Sequence, residues 1–226
     1  MSEENAQVVA VVGASGVLGG LVARGLQERG ATVVAVGRDA GRLDEAVPGA
    51  TQVVGEIGDA ALGDRLVAHC RQEHGRLDGV VNAAGVVAFG TLVDTDDAVI
   101  EELFLTDVIG PLFLARRVLP ALAETKGYLA NISAVVAEAP LPGMVAYAAA
   151  KAALTAADRA LAREARRSGV QVIDLRPPHT ETGLATRPLA GTAPSLPQGL
   201  EPQRVAQVVF DAIWQRTAEV ASGDFA

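Results

Sequence analysis

A tyrosine and a lysine four residues apart form the pair of side chains in this sequence with the most specific chemistry. Tyr147 and Lys151 lie in an alanine-rich segment that predicts a helix over residues 147–168, and their spacing places both side chains on one face of it. A lysine ammonium ion beside a phenol favours the phenolate and lowers the pKa of the tyrosine towards neutrality. The pair therefore predicts a tyrosine that exchanges a proton with a substrate oxygen.

A run of glycines near the N-terminus is the second pattern with chemical meaning. Gly13, Gly16 and Gly19 recur between an apolar run at residues 7–12 and a helical pattern that continues to about residue 29. Glycines there permit a tight turn and a close backbone approach to a pyrophosphate, and the helix N-terminus adds N–H donors. The segment predicts a dinucleotide-binding turn, with a purely structural strand–helix turn as the alternative. The residues of this turn that we expect to bind the cofactor are Gly13, Ser15, Gly16, Val17 and Leu18.

The residue that follows the second apolar run indicates which dinucleotide binds. Dinucleotide folds usually place an acidic residue there for the ribose hydroxyls, but this sequence has Val36, Gly37 and then Arg38. A guanidinium group suits a 2′-phosphate, so the sequence favours NADP(H) over NAD(H). The alternative is an exposed arginine beside Asp39, which would serve as a helix cap.

Short β-branched runs alternate with longer helical patterns along the chain, and these elements must position the two motifs. The alternation predicts a Rossmann-type doubly wound parallel sheet with helices on both faces, a three-layer αβα fold, in a single domain over residues 1–226. Strands are predicted at residues 7–12, 31–36, 50–54, 78–82, 128–132 and 170–175, with a short edge strand in the tail. Helices are predicted up to about residue 29, near 42–46, and over 59–75, 96–104, 108–124, 147–168 and 202–216, the fifth of them interrupted at Gly110-Pro111.

A segment rich in Pro, Gly and Thr at residues 177–202 breaks this alternation. A stretch of that length without regular structure is typical of a functional loop. It has too few large side chains for a core of its own, so we expect a mobile substrate loop near residues 178–200. The apolar side chains of the loop that predict a moderately apolar pocket are Leu184, Pro188, Leu189 and Leu196.

The composition excludes several other classes of protein. With a net charge of −8 and 50% hydrophobic residues, the chain has neither the basic surface that binds nucleic acid or anionic membranes nor the composition of a disordered protein. Cys70 is the single cysteine, which excludes an intrachain disulfide and a cysteine-built zinc site, and we expect no metal. The acidic N-terminus lacks the positive region of a secretory signal, so we expect a cytoplasmic protein.

Four segments, taken in order, make the whole chain resemble the short-chain dehydrogenase/reductase family in its single-domain form. They are the glycine turn at residues 13–19, Asn82-Ala83-Ala84-Gly85 after the fourth strand, the Tyr147–Lys151 pair, and residues 177–182 after the sixth strand. The resemblance implies a nicotinamide cofactor, a small carbonyl or alcohol substrate, hydride transfer between them, and a homodimer or homotetramer. An epimerase or dehydratase shares the tyrosine–lysine pair, but the chain has no room for the second domain of that branch.

The resemblance also implies roles for individual residues. Tyr147 would exchange the proton, and Lys151 would hold the nicotinamide ribose and tune the tyrosine. The segment Asn82, Ala83, Ala84 and Gly85 would pack under the adenine-ribose side, with Glu56 and Ile57 beside the adenine. Further cofactor contacts, with the carboxamide and a phosphate among them, would come from Pro177, Thr180 and Thr182.

Two positions depart from the family's pattern. The family's catalytic serine lies thirteen residues before the tyrosine, where this chain has Ala134, and its asparagine of the middle helix is Asp107 here. Ser133 is the replacement that we expect, although neighbouring strand residues point to opposite faces and the substitution needs a bulge or an early end of the strand. The departures keep open a second hypothesis, an NADP(H)-binding protein with little catalysis that serves as a redox sensor or regulator.

Overall fold

Seven strands form one parallel sheet in the computed structural model, which describes residues 6–225. The strands are β1 (Val8–Val12), β2 (Thr32–Gly37), β3 (Thr51–Val54), β4 (Gly79–Asn82), β5 (Tyr128–Ile132), β6 (Gln171–Leu175) and β7 (Glu219–Val220). Their order across the sheet is β3-β2-β1-β4-β5-β6-β7, and each neighbouring pair is parallel. The predicted Rossmann-type sheet is confirmed, and the tail supplies the predicted edge strand.

Helices cover both faces of the sheet. They are α1 (Val17–Glu28), α2 (Ala40–Ala46), α3 (Leu62–His74), α4 (Asp97–Phe104), α5 (Gly110–Thr125), α6 (Val145–Ala165) and α7 (Pro202–Gln215). In β1, Val9 and Val11 face the layer of α1 and α7, whereas Val8 and Ala10 face the layer of α3, α5 and α6. Because both of its faces are buried, β1 is apolar at every position. Within residues 6–225, none of the helices has the length and apolarity needed to cross a membrane.

The middle of the chain forms one helical run where the sequence predicts two separate helices. A π-helical turn, Leu105–Ile109, joins the end of α4 to the start of α5. The run is continuous through the predicted interruption at Gly110-Pro111, but its geometry changes there: the π-helical turn ends at Ile109, and Pro111, which has no N–H to donate to that turn, lies in the first turn of α5. Gly110 lets α5 approach the loop after β3 closely, since a Cβ on Gly110 would lie 2.6 Å from the carbonyl oxygen of Ile57.

The order of the strands determines where a crevice can form. β1 pairs with β2 on one side and with β4 on the other, so the chain reverses its direction of winding beside β1. Two backbone hydrogen bonds tie the segments that leave this point: Gly13 N donates to Val36 O over 2.9 Å, and Ala83 N donates to Val12 O over 2.8 Å. In open α/β sheets, ligands bind at the carboxyl ends of the strands where this reversal occurs.

The segment between β6 and α7 crosses the same edge of the sheet without forming a helix or a strand of its own. Its centre contacts the chain that follows β4, since Leu189 N donates to Val87 O over 2.8 Å and Phe89 N donates to Ala190 O over 2.9 Å. An isolated bridge between Thr180 and Leu200 joins its two ends. The segment therefore lies where a substrate loop is needed, while its mobility stays a prediction.

We expect residues 183–200 to exchange their amide hydrogens rapidly in the cofactor-free protein and more slowly with NADPH present. Much of this segment is exposed, and residues with few buried contacts open locally at little cost in free energy. Hydrogen–deuterium exchange followed by mass spectrometry measures this directly. Peptides from β5 serve as the control and should be protected in both states. Protection of the loop equal to that of β5 without cofactor would contradict its role as a mobile lid.

Candidate active site

Helix α6 places Tyr147 and Lys151 together, as their spacing predicts. Both residues are buried, with 7% and 3% of their surfaces exposed, and the Lys151 Nζ lies 5.9 Å from the centre of the Tyr147 ring. Burial, and then the nearby Asp107 carboxylate, raise the pKa of Tyr147 above its ordinary value. This direction is opposite to the lowering predicted from the lysine alone, because burial penalises the phenolate and a carboxylate shares the site.

Asp107 is the group that sequence reasoning identified as a departure but did not pair with a partner. It lies in the π-helical turn and is fully buried, and its Oδ1 lies 3.5 Å from the Lys151 Nζ. The same Oδ1 accepts a hydrogen bond from the Val86 N–H over 3.1 Å. Gly85 leaves room for this contact, since a Cβ there would lie 3.1 Å from both charged atoms. The unusual acidic residue at position 107 was the available signal, but its partner lies far away in the sequence.

Ser133 holds α6 in place. Its hydroxyl donates to the Lys151 carbonyl oxygen over 3.1 Å and accepts from the Thr155 hydroxyl over 3.2 Å. The residue is 5% exposed and comes directly after β5. The structure therefore brings Ser133 to the backbone of Lys151 and gives no support to its predicted role as the replacement hydrogen-bond donor to a substrate oxygen.

Ala134 lies on the other side of the chain from Ser133, as the alternation of an extended strand requires. Its backbone is extended, and its methyl group packs against the buried cluster that contains Tyr147. Val86 and Leu184 pack against the same cluster. These side chains form an apolar wall of the cluster that contains Tyr147, and residue 134 carries a methyl group where the family has a hydroxyl.

The glycine turn has the shape that a phosphate cradle needs. Gly13 adopts a left-handed conformation with φ of 81°, and a Cβ on it would lie 2.7 Å from the Ala84 N. The turn leads directly into α1, whose N-cap is Gly16. A helix N-terminus presents N–H groups and a positive dipole end, and the binding of a phosphate by Ser15, Gly16, Val17 and Leu18 stays a prediction.

Arg38 and Glu56 lie at the ends of β2 and β3 and form an exposed ion pair. The Arg38 Nη1 is 3.7 Å from the Glu56 Oε1, and 73% of the arginine side chain is exposed. Ile57, beside Glu56, is buried against the start of α5. The guanidinium group is therefore accessible to an anion and is held loosely by a neighbouring carboxylate.

The segment after β4 reaches the crevice through its backbone and its small side chains. Asn82 is fully buried, and its side chain donates to the Asn131 Oδ1 over 3.1 Å and accepts from the Ala84 N–H over 3.2 Å. The Asn82 side chain thus holds the turn after β4 through the Ala84 N–H. Ala83, Ala84 and Gly85 are half-buried.

The residues after β6 are placed at the same edge of the sheet. The Pro177 carbonyl oxygen accepts from the Val135 N–H over 2.9 Å, which ties this segment to the chain after β5. The Thr180 hydroxyl donates to the Pro178 carbonyl oxygen over 2.8 Å, and the Thr182 hydroxyl accepts from the Leu184 N–H over 3.4 Å. Both threonines are half-buried, so their predicted contacts with a cofactor stay predictions.

A family model and several known proteins are similar to this chain. The family model described as short chain dehydrogenase matches residues 7–190. The chain is 28% identical to dehydrogenase/reductase SDR family member 7B of Danio rerio, across 95% of this chain and 76% of that protein. An uncharacterized oxidoreductase of Staphylococcus aureus strain USA300 is also 28% identical, across 92% and 91% of the two chains.

Solved structures agree with the fold. A short-chain dehydrogenase from Streptomyces avermitilis superposes with a TM-score of 0.85 at 28% identity and covers 98% of this chain and 90% of its own. A short chain dehydrogenase from Burkholderia cenocepacia, determined in complex with NADP, also has a TM-score of 0.85, at 23% identity and with the same coverage. At that lower identity, the likeness concerns the fold alone.

We expect Ser133→Ala to lower the free energy of unfolding by about 1 kcal/mol, because it removes the hydroxyl that links β5 to the backbone of α6. Chemical denaturation at neutral pH measures the change. Ala134→Ser is the matched control, since it adds the same hydroxyl to the neighbouring half-buried residue and should change stability by less than about 0.5 kcal/mol. Equal stability of the Ser133→Ala and wild-type proteins would contradict the role in holding α6.

Proposed function

Because the chain belongs to the short-chain dehydrogenase/reductase family, we propose that it transfers hydride between NADP(H) and a small carbonyl or alcohol compound. Family membership makes it an NAD(P)-dependent oxidoreductase. The observation that carries the finer proposal is the burial of Tyr147 and Lys151 together on α6, at the sheet edge where the glycine turn begins. The pair that would exchange the proton then lies at the same edge of the sheet as the turn that would bind the dinucleotide.

The residues around the crevice fit a dinucleotide. A Cβ on Gly13 would clash with the Ala84 backbone, so the glycine lets the turn pack against the segment after β4, and the α1 N-terminus beside it would supply N–H donors to the pyrophosphate. Arg38 would bind a 2′-phosphate, and Lys151 would bind the nicotinamide ribose. Other cofactor contacts would come from Glu56, Ile57, Asn82, Ala83, Ala84, Gly85, Pro177, Thr180 and Thr182. The nicotinamide, when bound, supplies or accepts the hydride.

Tyr147 moves the proton. In reduction, its hydroxyl donates to the substrate oxygen, and the phenolate that remains lies beside the Lys151 ammonium ion. In oxidation, the phenolate accepts the proton of the substrate hydroxyl. Burial of the pair excludes water, which strengthens the effect of each charge on the other.

The apolar wall makes the site poorer in hydrogen-bond donors than the family's pattern. Ala134, Val86 and Leu184 pack their methyl groups against the buried cluster that contains Tyr147. Losing one donor to a reacting oxygen lowers the rate by a factor of about 10²–10³. We therefore expect a slow enzyme with a moderately apolar substrate.

A cofactor-binding protein with little catalysis is the second candidate. Two observations favour it: Ala134 offers no hydroxyl to a substrate, and the Asp107 carboxylate lies 3.5 Å from the Lys151 ammonium ion. Such a protein would bind NADP(H) and respond to its redox state without rapid turnover. Turnover measured beside binding separates the two candidates.

A homodimer or homotetramer stays a prediction. Leu105, Ile109 and Leu112 place exposed apolar side chains on successive turns before and within α5. The outer face of α6 carries exposed small residues, namely Ala149, Ala152, Ala156 and Ala160. Exposed apolar and small side chains at helical spacing allow close packing against a second copy of the chain.

We expect Tyr147→Phe to lower the rate of NADPH oxidation by at least about 10²-fold while NADPH binding is kept, since only the proton donor is removed. Turnover is measured by absorbance with a panel of aldehydes, ketones and diketones, and binding by calorimetry. Ala134→Ser is the companion variant and should raise turnover, because it returns a donor to the apolar wall. Full activity of Tyr147→Phe would overturn the mechanism, and wild-type binding without turnover would favour the second candidate.

We expect Arg38→Ala to weaken NADPH binding by about tenfold or more and to leave NADH binding nearly unchanged. A charge-assisted hydrogen bond of this kind contributes about 1.5–3 kcal/mol, and NADH lacks the phosphate that makes it. Arg167→Ala, an exposed arginine beyond the end of α6, is the control that removes the same charge elsewhere. Equal affinity of the wild-type protein for both cofactors would contradict the preference.

A further inference from the structure

We propose that Asp107 is a positioning residue whose carboxyl group forms a buried, charge-neutral pair with Lys151 and thereby keeps the Tyr147 hydroxyl protonated over the neutral range. The site is then set for proton donation, and hence for reduction of a carbonyl substrate. This inference rests on the proposed function for its catalytic meaning. The effect of Asp107 on the protonation of Tyr147 involves this chain alone and can be measured without a substrate.

The geometry places one ammonium group against both partners. The Lys151 Nζ lies 3.5 Å from the Asp107 Oδ1 and 5.9 Å from the centre of the Tyr147 ring. The two charged side chains are 4% and 0% exposed. Little solvent therefore screens the carboxylate from the phenol, and its charge opposes that of the ammonium ion at the same ring.

The Asp107–Lys151 pair has the same net charge whichever of its members holds the proton. Burial raises the pKa of Asp107, while Lys151 and the Val86 N–H act in the opposite direction. If the proton stays on Lys151, the pair is an ion pair, and if it moves to Asp107, both groups are neutral. The net charge is zero in either form, so the phenolate gains far less than it would from a lone ammonium ion.

A charged group on a neighbouring helix acts on the pKa of Asp107 in the same direction as burial. Glu102 of α4 accepts a hydrogen bond from the Thr106 hydroxyl over 2.9 Å, and its negative charge raises the pKa of Asp107 further. The chain after β4 contributes the backbone N–H of Val86. The pair gains a net positive charge only when the pH falls low enough to protonate Asp107 while Lys151 remains charged.

Replacing Asp107 by asparagine, which has nearly the same shape, tests the effect of its negative charge. The Asp107 Oδ1 has a donor in Val86, whereas its Oδ2 is buried and accepts no hydrogen bond from the described residues. In Asp107→Asn the amide oxygen can keep the Val86 bond, and the amide nitrogen takes the place of Oδ2. The variant removes the negative charge with little change in shape.

The titration of Tyr147 measures the effect directly. The chain has two tyrosines, so Tyr128→Phe leaves Tyr147 as the single phenol; the buried Tyr128 hydroxyl has no hydrogen-bond partner among the described residues, which makes that change mild. In this background we expect Asp107→Asn to lower the pKa of Tyr147 by about one unit or more, followed by tyrosinate absorbance. Glu101→Gln, an exposed residue of α4, removes the same charge and should leave the Tyr147 pKa within a few tenths of a unit.

The pH profile of the holoenzyme is the second measurement. In alcohol oxidation, Asp107→Asn should move the rise of activity to lower pH by the same interval, and Glu101→Gln should leave it in place. An unchanged Tyr147 pKa together with an unchanged profile overturns the proposal, and the proposed function then stands on its own. A lowered Tyr147 pKa in a protein that oxidises and reduces nothing supports the electrostatic inference and defeats the proposed function instead.

Discussion

The burial of Lys151 is the constraint on which the rest of this site depends. An ammonium ion that is 4% exposed is costly unless an opposite charge or several acceptors compensate it. Here Asp107 compensates it, and a π-helical turn between α4 and α5 directs that carboxylate inwards. Gly85 must then lack a side chain, because a Cβ would touch both charged atoms. Helix geometry, the glycine and the ion pair are thus consequences of placing one lysine beside Tyr147.

A buried polar network fixes α6 over the strand ends and so fixes Lys151. The Asn82 amide donates to Asn131, and the Asn131 amide donates to the Asp158 Oδ1 over 2.6 Å. Burial raises the pKa of Asp158 to about 8, so this carboxyl keeps its proton at neutral pH and adds no second charge to the layer. A separate hydrogen bond, from the Ser133 hydroxyl to the Lys151 carbonyl oxygen, holds the same helix nearer its N-terminus. The turn after β4 and helix α6 are joined by the hydrogen bonds through Asn131.

Local sequence patterns were enough to predict most of the fold and the Tyr147–Lys151 pair. The all-apolar β1, the glycines of the turn and the four-residue spacing of Tyr147 and Lys151 each have a direct physical meaning, and the structure places them as predicted. The direction of the Ser133 side chain could not be read in this way, because strand alternation shows that two neighbours diverge but not which one meets α6. The Asp107–Lys151 contact joins two distant segments through a π turn, which leaves no periodic signal.

The apolar wall and the loop after β6 would act on the same property of the proposed site, the orientation of a substrate. Ala134 packs against the cluster that contains Tyr147, so under the proposed function the tyrosine hydroxyl is the donor left to orient a substrate oxygen, and one hydrogen bond fixes a distance but not an angle. Orientation would then come from shape, to which the methyl groups of Val86 and Leu184 against the same cluster contribute. Leu184 belongs to the loop whose centre is joined to the chain after β4 by Leu189 and Ala190. Closure of this loop would therefore restore by packing the positioning that a serine hydroxyl provides by hydrogen bonding, and it would make the shape of the substrate, more than its polarity, the basis of its selection.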